Sequence, residues 1–289
     1  MTLRYVAPVE RNEIRVGDWV FDAFVDGSTD GELVLLLHGF PESAAEWHSV
    51  LPQLAAAGYY AVAPNQRGYS PGARPVGVES YHIDHLVDDV LSIADVLGTR
   101  EFHLVGHDWG ALVAWAVAGA NPDRVRTLTI VSVPHPRPFA AARASDPDQQ
   151  QRSEYIATFR VPDAPEHLFL DNDAAVLRLA VSAAGPELAA EHVRVLTDPG
   201  AMTAALNYYR AWGTDLDSVG PISVPTLFVW STDDVALGRV AAEATAEWVS
   251  GPYRFEVLDG ISHWIPEVAP DTVSRLVLEH LGASPAGTQ

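Results

Sequence analysis

The sequence predicts an α/β fold, in which a mostly parallel sheet is covered by helices on both faces and interrupted once by an all-helical segment. Three observations carry this. Apolar strand-like runs alternate with helix-like stretches across residues 19–133. The strand signal then stops, and residues 134–222 hold only helix-like pieces. Beyond residue 222 the alternation resumes.

Residues 19–27 alternate apolar and polar side chains and close on Asp26-Gly27, as a half-exposed strand and turn do. Residues 32–39 form a short apolar run ending in glycine, the pattern of a buried strand. An amphipathic stretch (44–57), a strand-like run (59–64) and a helix-like segment (80–97) follow. Next come a strand at 102–106, an apolar helix at 109–120 and a buried strand at 126–133. Helix-like pieces at 174–183, 187–196 and 201–212 fill the insertion. Strands at 226–230 and 253–258, with helices at about 238–250 and 270–281, complete the pattern. The expected division is a core in two parts, 1–133 and 223–289, with a helical lid at 134–222. No internal repeat is visible, and the tail Ser284–Gln289 reads as frayed.

Composition narrows the chemistry. A hydrophobic content of 48% over 289 residues is enough for a large core. No apolar run reaches the ~20 residues that span a bilayer, and the charged, proline-containing N-terminus does not read as a signal peptide, so a cytoplasmic location is expected. The formal charge of −20 disfavours nucleic acid and anionic membrane surfaces, which need concentrated basic charge. There is no cysteine, which removes thiolate nucleophiles and disulfides. All 18 basic residues are arginine, which removes Schiff-base chemistry.

Gly106-His107-Asp108-Trp109-Gly110 lies between a buried strand and an apolar helix. Glycines two residues before and after a central side chain fit a strained strand–turn–helix that presents a nucleophile. Here the central residue is Asp108. Upstream, His38-Gly39-Phe40-Pro41 follows another central strand, and its Phe40 N–H can pair with that of Trp109 as an oxyanion hole. Downstream, Asp233 and Asp234 follow one strand and His263 follows the last. The order nucleophile, acid, histidine completes a triad. Spacing alone leaves Asp233 and Asp234 both open as the acid.

The stretches at residues 38–43, 67–70, 106–110 and 260–264 (HGFPES, RGYS, GHDWG and GISHW) resemble the α/β-hydrolase-fold epoxide hydrolases and their dehalogenase relatives. The resemblance spans nearly the whole chain. It implies an eight-stranded, mostly parallel sheet with an inserted helical cap. Asp108 is then the nucleophile, His263 the base and Asp234, four residues after Trp230, the acid. It also implies that Tyr155 and Tyr209, set in segments 153–159 and 206–210 that resemble the family's lid motifs, activate the epoxide oxygen. Tyr208 fits a packing role.

An aspartate is already ionised at neutral pH and can attack a saturated carbon without a base. A departing alkoxide needs a proton donor, which tyrosine supplies, whereas a halide needs only dipoles. The function expected is therefore hydrolysis of a mainly apolar epoxide to a vicinal diol, with water as co-substrate and no metal or organic cofactor. A haloalkane or haloacid dehalogenase using the same triad is the competing expectation, disfavoured because Phe40 offers no side-chain donor. A non-catalytic small-ligand binder stands third, because no triad member is missing. Substrate contacts are expected from His38, Pro41, Trp109 and Trp264, with Trp47 and Phe40 adding to an aromatic wall. His82 and His85, three apart on a helix, read as a solvated helix start rather than metal ligands. His107 reads as structural. Asn65 and Arg160 depart from the family's usual aspartate and glutamine and direct attention to loop packing and the lid. A homo-oligomer stays open.

Overall fold

The computed structural model describes residues 9–213 and 216–282. One eight-stranded sheet runs through it: Glu10–Val16 (β1), Trp19–Asp26 (β2), Leu33–Leu37 (β3), Tyr60–Pro64 (β4), Phe102–His107 (β5), Val125–Val131 (β6), Thr226–Asp233 (β7) and Tyr253–Ser262 (β8). The spatial order is β1-β2-β4-β3-β5-β6-β7-β8. β2 is antiparallel to both its neighbours, and every other pairing is parallel.

Side-chain alternation along the strands divides the core into two layers. Leu33, Leu35 and Leu37 of β3 join one apolar cluster, while Val34 and Leu36 join the other, as the period of two requires. Both faces are covered, so β3 and β4 are buried at every position. The helix Trp109–Ala120 buries every residue from Trp109 to Ala118, so it runs through the core rather than over it. Among the described residues, the strand that the alternation does not reveal is β1. Only Ile14 of its seven residues is buried, so its sequence is polar and carries no apolar rhythm. Charge on this edge strand also guards the sheet against pairing with another chain.

Between β6 and β7 the chain is helical: Pro136–Ser145, Pro147–Arg152, Glu154–Phe159, Ala164–Ala180, Pro186–Leu196 and Ala201–Ala211. The first three are not apparent from periodicity. They are short, two open on proline, and Asp146 caps one through the Gln149 N–H. Ala164–Ala180 is two helical pieces joined through Asn172, Asp173 and Ala174, all at positive φ. The helix expected at 238–250 is Arg239–Ala244 followed by a 3-10 turn, and that at 44–57 is a 3-10 turn followed by Leu51–Ala56. The expected fraying of Ser284–Gln289 lies outside the described residues. No helix among the described residues is long and apolar enough to cross a membrane.

Arg67, which follows β4, grips Asp89 of the helix Ile83–Val96 bidentately, with Nε–Oδ2 at 2.7 Å and Nη2–Oδ1 at 2.6 Å. Both side chains are nearly buried. Asp89→Ala strands the guanidinium and is expected to cost about 3–5 kcal/mol in urea unfolding, far more than an exposed pair would.

Candidate active site

The backbone between β5 and the helix Trp109–Ala120 turns sharply at Asp108, whose φ of 47° and ψ of −117° lie where few L-residues settle. The turn is possible because its neighbours lack side chains. A Cβ on Gly106 would overlap the Gly110 carbonyl, and one on Gly110 would overlap that of Leu37. Gly39 is constrained in the same way, because a Cβ there would press on the Asp108 side chain. These close approaches bring the loop after β3 against the Asp108 carboxylate. The Phe40 N–H donates to its Oδ1 at 2.9 Å. Trp109 opens the helix, where its N–H has no intrahelical partner.

His263 follows β8. Its Nε2 lies 3.5 Å from Asp108 Oδ2 and its Nδ1 lies 2.8 Å from Asp234 Oδ2. Asp234 is fully buried, and its Oδ1 accepts from the Ala236 and Leu237 N–H groups. Asp233 is exposed and turns to the Thr232 hydroxyl. The fold thus brings Asp108, His263 and Asp234 together and leaves Asp233 outside. The His263 carbonyl is held by the Ser132 hydroxyl and by His107 Nε2, each at 3.0 Å.

Burial opposes charge on His263, but the Asp234 carboxylate and then bonding to Asp108 and Asp234 outweigh it, so its pKa lies well above the usual value. Burial likewise works against the Asp108 carboxylate. His263 next to it prevails, helped by His107 and the Phe40 N–H, and the Asp108 pKa is lowered. The resting pair is therefore an imidazolium beside a carboxylate. Beneath it, burial and then nearby carboxylates push the Glu42 and Glu46 carboxyls well up, while burial lowers His107. With its Nε2–H given to the His263 carbonyl, a neutral His107 accepts at Nδ1 from protonated Glu46 Oε2, 3.3 Å away.

A cavity of about 180 Å³ opens above Asp108 and His263. Phe40, Phe159, Phe169 and Trp264 give it aromatic walls, and Pro41, Ala180, Val235 and Ala236 aliphatic ones. Tyr155 and Tyr209 enter it from the inserted helices, with ring centroids 6.2 Å apart. Burial and then the Asp108 charge raise both phenols, so both hold their protons. A larger depression of about 550 Å³ lies elsewhere, lined by opposed charges such as Arg11, Glu13, Asp22 and Arg194. None of the triad reaches it, and its polar lining suits solvent better than an apolar ligand.

Several expected contacts fall elsewhere. His38 does not line the cavity. Its Nδ1 bonds the Gly39 carbonyl, its Nε2 accepts from the Gln66 N–H, and burial lowers its pKa to about 3, so it braces the loop as a neutral ring. The Trp109 indole also misses the cavity and packs edge-on behind it against Tyr208, Tyr209 and Trp212. Trp47 lies in the core. Tyr208 packs inside and donates to the Arg67 carbonyl at 2.8 Å. Arg160 bonds the Tyr209 and Trp212 carbonyls, closing the C-terminal end of the helix that carries Tyr209. Asn65 receives the Ala44 N–H. His82 and His85 sit at the start of the helix Ile83–Val96, away from the cavity lining. Phe169, Ala180, Val235 and Ala236 line the cavity with no motif to announce them.

Comparison with known proteins agrees with this architecture. Residues 32–270 match the model of the alpha/beta hydrolase fold family. An AB hydrolase superfamily protein of Bacillus subtilis strain 168, YfhM, is 35% identical over 88% of this chain and 92% of its own. Human epoxide hydrolase 4 is 32% identical over 87% of this chain and 72% of its own. A solved structure from work on epoxide hydrolases in metagenomes from hot environments superposes with a TM-score of 0.84 at 28% identity, covering 98% of this chain and 100% of that one.

The charges around His263 give a direct test by NMR titration of its ring. Asp234→Asn is expected to lower its pKa most and Asp108→Asn less, because each removes a carboxylate that favours the imidazolium. Asp233→Asn is expected to leave it where it is.

Proposed function

Given that this chain belongs to the α/β-hydrolase fold family, we propose that it is an epoxide hydrolase, converting a small, mainly apolar epoxide to a vicinal diol. The observation that carries this reading is a buried, ionised Asp108 facing two protonated tyrosines across an apolar cavity. The epoxide hydrolases among its relatives support it. The inserted helices act as a cap, at about residues 134–222, that supplies the tyrosines.

Asp108 Oδ2 attacks a ring carbon of the epoxide, and the carbon–oxygen bond breaks. The departing oxygen takes a proton from Tyr155 or Tyr209, leaving a hydroxyalkyl ester on the enzyme. Esterification removes the Asp108 charge that helped to protonate His263. The imidazole pKa falls, its proton passes through water to the tyrosinate, and the ring becomes a base where it had been a cation. His263 then takes a proton from water, whose oxygen attacks Cγ of Asp108. The Phe40 and Trp109 N–H groups receive the resulting oxyanion. Collapse expels the diol, protonated by His263, and the proton of the regenerated carboxyl group restores the His263 imidazolium. Asp234 orients the ring and balances its charge throughout. Every acid and base in this cycle is a side chain of the chain itself. At about 180 Å³ the cavity is below the ~300–1,000 Å³ of drug-sized sites, which favours compact substrates.

Assays with compact aryl and alkyl epoxides, haloalkanes and fluoroacetate test the reading. Diol from the epoxides alone, abolished by Asp108→Asn, is expected. Halide release without diol would replace it with the dehalogenase reading and reduce the two tyrosines to packing. Tyr155→Phe and Tyr209→Phe should each slow ester formation about 10–100-fold and spare ester hydrolysis, as rapid-quench kinetics can resolve. The same experiment across pH should show ester hydrolysis rising as His263 loses its proton. Ester formation should stay level until acid protonates Asp108, whose pKa is lowered.

A further inference from the structure

We propose that Gln149 is a positioning residue that sets the catalytic tyrosine in register with the acid–histidine pair. It lies in the helix Pro147–Arg152 of the inserted segment, and it is fully buried although Gln150 and Gln151 beside it are exposed. Its amide reaches across to the core. Nε2 donates to the Ala236 carbonyl at 2.8 Å, and Oε1 accepts the Gly238 N–H at 2.8 Å. The second Nε2 hydrogen goes to the Ser153 hydroxyl at 2.9 Å. Both amide hydrogens and the carbonyl oxygen are thus committed, one to the helix start that carries Tyr155 and the others to the turn after Asp234.

That turn is the one that aims Asp234. Its Ala236 and Leu237 N–H groups hold Asp234 Oδ1, which leaves Oδ2 for His263 Nδ1. One helical turn beyond Gln149, Arg152 donates to the Asp234 backbone carbonyl itself. The fit is close on the other side too, since a Cβ on Gly238 would lie 3.0 Å from Asp148 Oδ2. Ser153, at the far end of the amide, stands two residues before Tyr155. A planar amide with donors and an acceptor in fixed directions ties these two elements as no aliphatic side chain could. Gln149 touches neither substrate nor reacting atoms. It acts through Asp234 and Tyr155.

This inference rests on the epoxide hydrolase reading, and the test separates the two. Single-turnover ester formation and ester hydrolysis are measured per titrated active site, beside the downfield Nδ1–H resonance of His263 in the resting protein. Gln149→Leu, which strands the Gly238 N–H and the Ala236 carbonyl, is expected to slow both steps about tenfold and to move the resonance. Ser153→Ala removes only the link toward Tyr155, and should slow ester formation while leaving hydrolysis and the resonance unchanged. Gln149→Glu keeps an acceptor for Gly238 but sets a buried carboxylate oxygen against the Ala236 carbonyl, and should slow both steps and move the resonance as Gln149→Leu does. Wild-type rates and an unmoved resonance in Gln149→Leu, with only a lower melting temperature, would overturn the proposal and leave Gln149 as a structural tie. If Gln149→Leu does not fold, Ser153→Ala and Gln149→Glu decide in its place: a Ser153→Ala protein with wild-type ester formation overturns the link to Tyr155. No diol from the wild type would sink the epoxide reading instead, and the resonance would still decide whether Gln149 positions His263 and Asp234.

Discussion

The structure turns on one strained residue. Asp108 is held at positive φ at the end of a central strand, with its carboxylate buried between the Phe40 N–H and the His263 ring. A buried carboxylate without such partners would take up a proton and lose its nucleophilicity. Much of the surrounding sequence serves that condition. Gly106 and Gly110 allow the turn, Gly39 lets the β3 loop close on the side chain, and β7 and β8 end where Asp234 and His263 can meet it.

The charges around Asp108 are kept few. Asp108 and Asp234 flank the His263 cation, and the acids beneath it are neutralised by burial. Glu46, protonated, supports a neutral His107, which with Ser132 holds the His263 carbonyl. The imidazole is thus fixed at its ring by Asp234 and at its backbone by two donors. In the proposed mechanism, that fixity lets a change at Asp108 alone, from carboxylate to ester, convert His263 from cation to base with little movement. The apolar walls of the cavity sharpen the change, since low polarity lengthens the reach of each charge.

Most of the fold is legible in the sequence. Seven strands announce themselves as apolar or alternating runs. Six do so because at least one of their faces is buried, and β8, half-exposed at the other edge, because apolar Tyr253, Phe255 and Val257 alternate with polar residues. β1 does not, because an edge strand with one buried side chain looks like a loop. The elbow is legible from Gly106 and Gly110, but spacing alone does not tell which of Asp233 and Asp234 faces His263, since adjacent residues point opposite ways and the register at the end of β7 is irregular. Side-chain direction is the other blind spot. His38 and Trp109 sit in the right motifs yet turn into the packing. Gln149 is hidden in a run of three glutamines, and only the bend of the chain around the core picks out the first.

The aspartyl ester is the centre of this account, and the origin of the new oxygen tests it most directly. One turnover of a compact epoxide, with enzyme in excess in water enriched in heavy oxygen, is followed by mass analysis of the diol and of the peptide containing Asp108. The account predicts an unlabelled diol and one heavy oxygen in the Asp108 carboxyl group. A labelled diol with an unlabelled peptide would mean that water attacks the epoxide directly, and would contradict it.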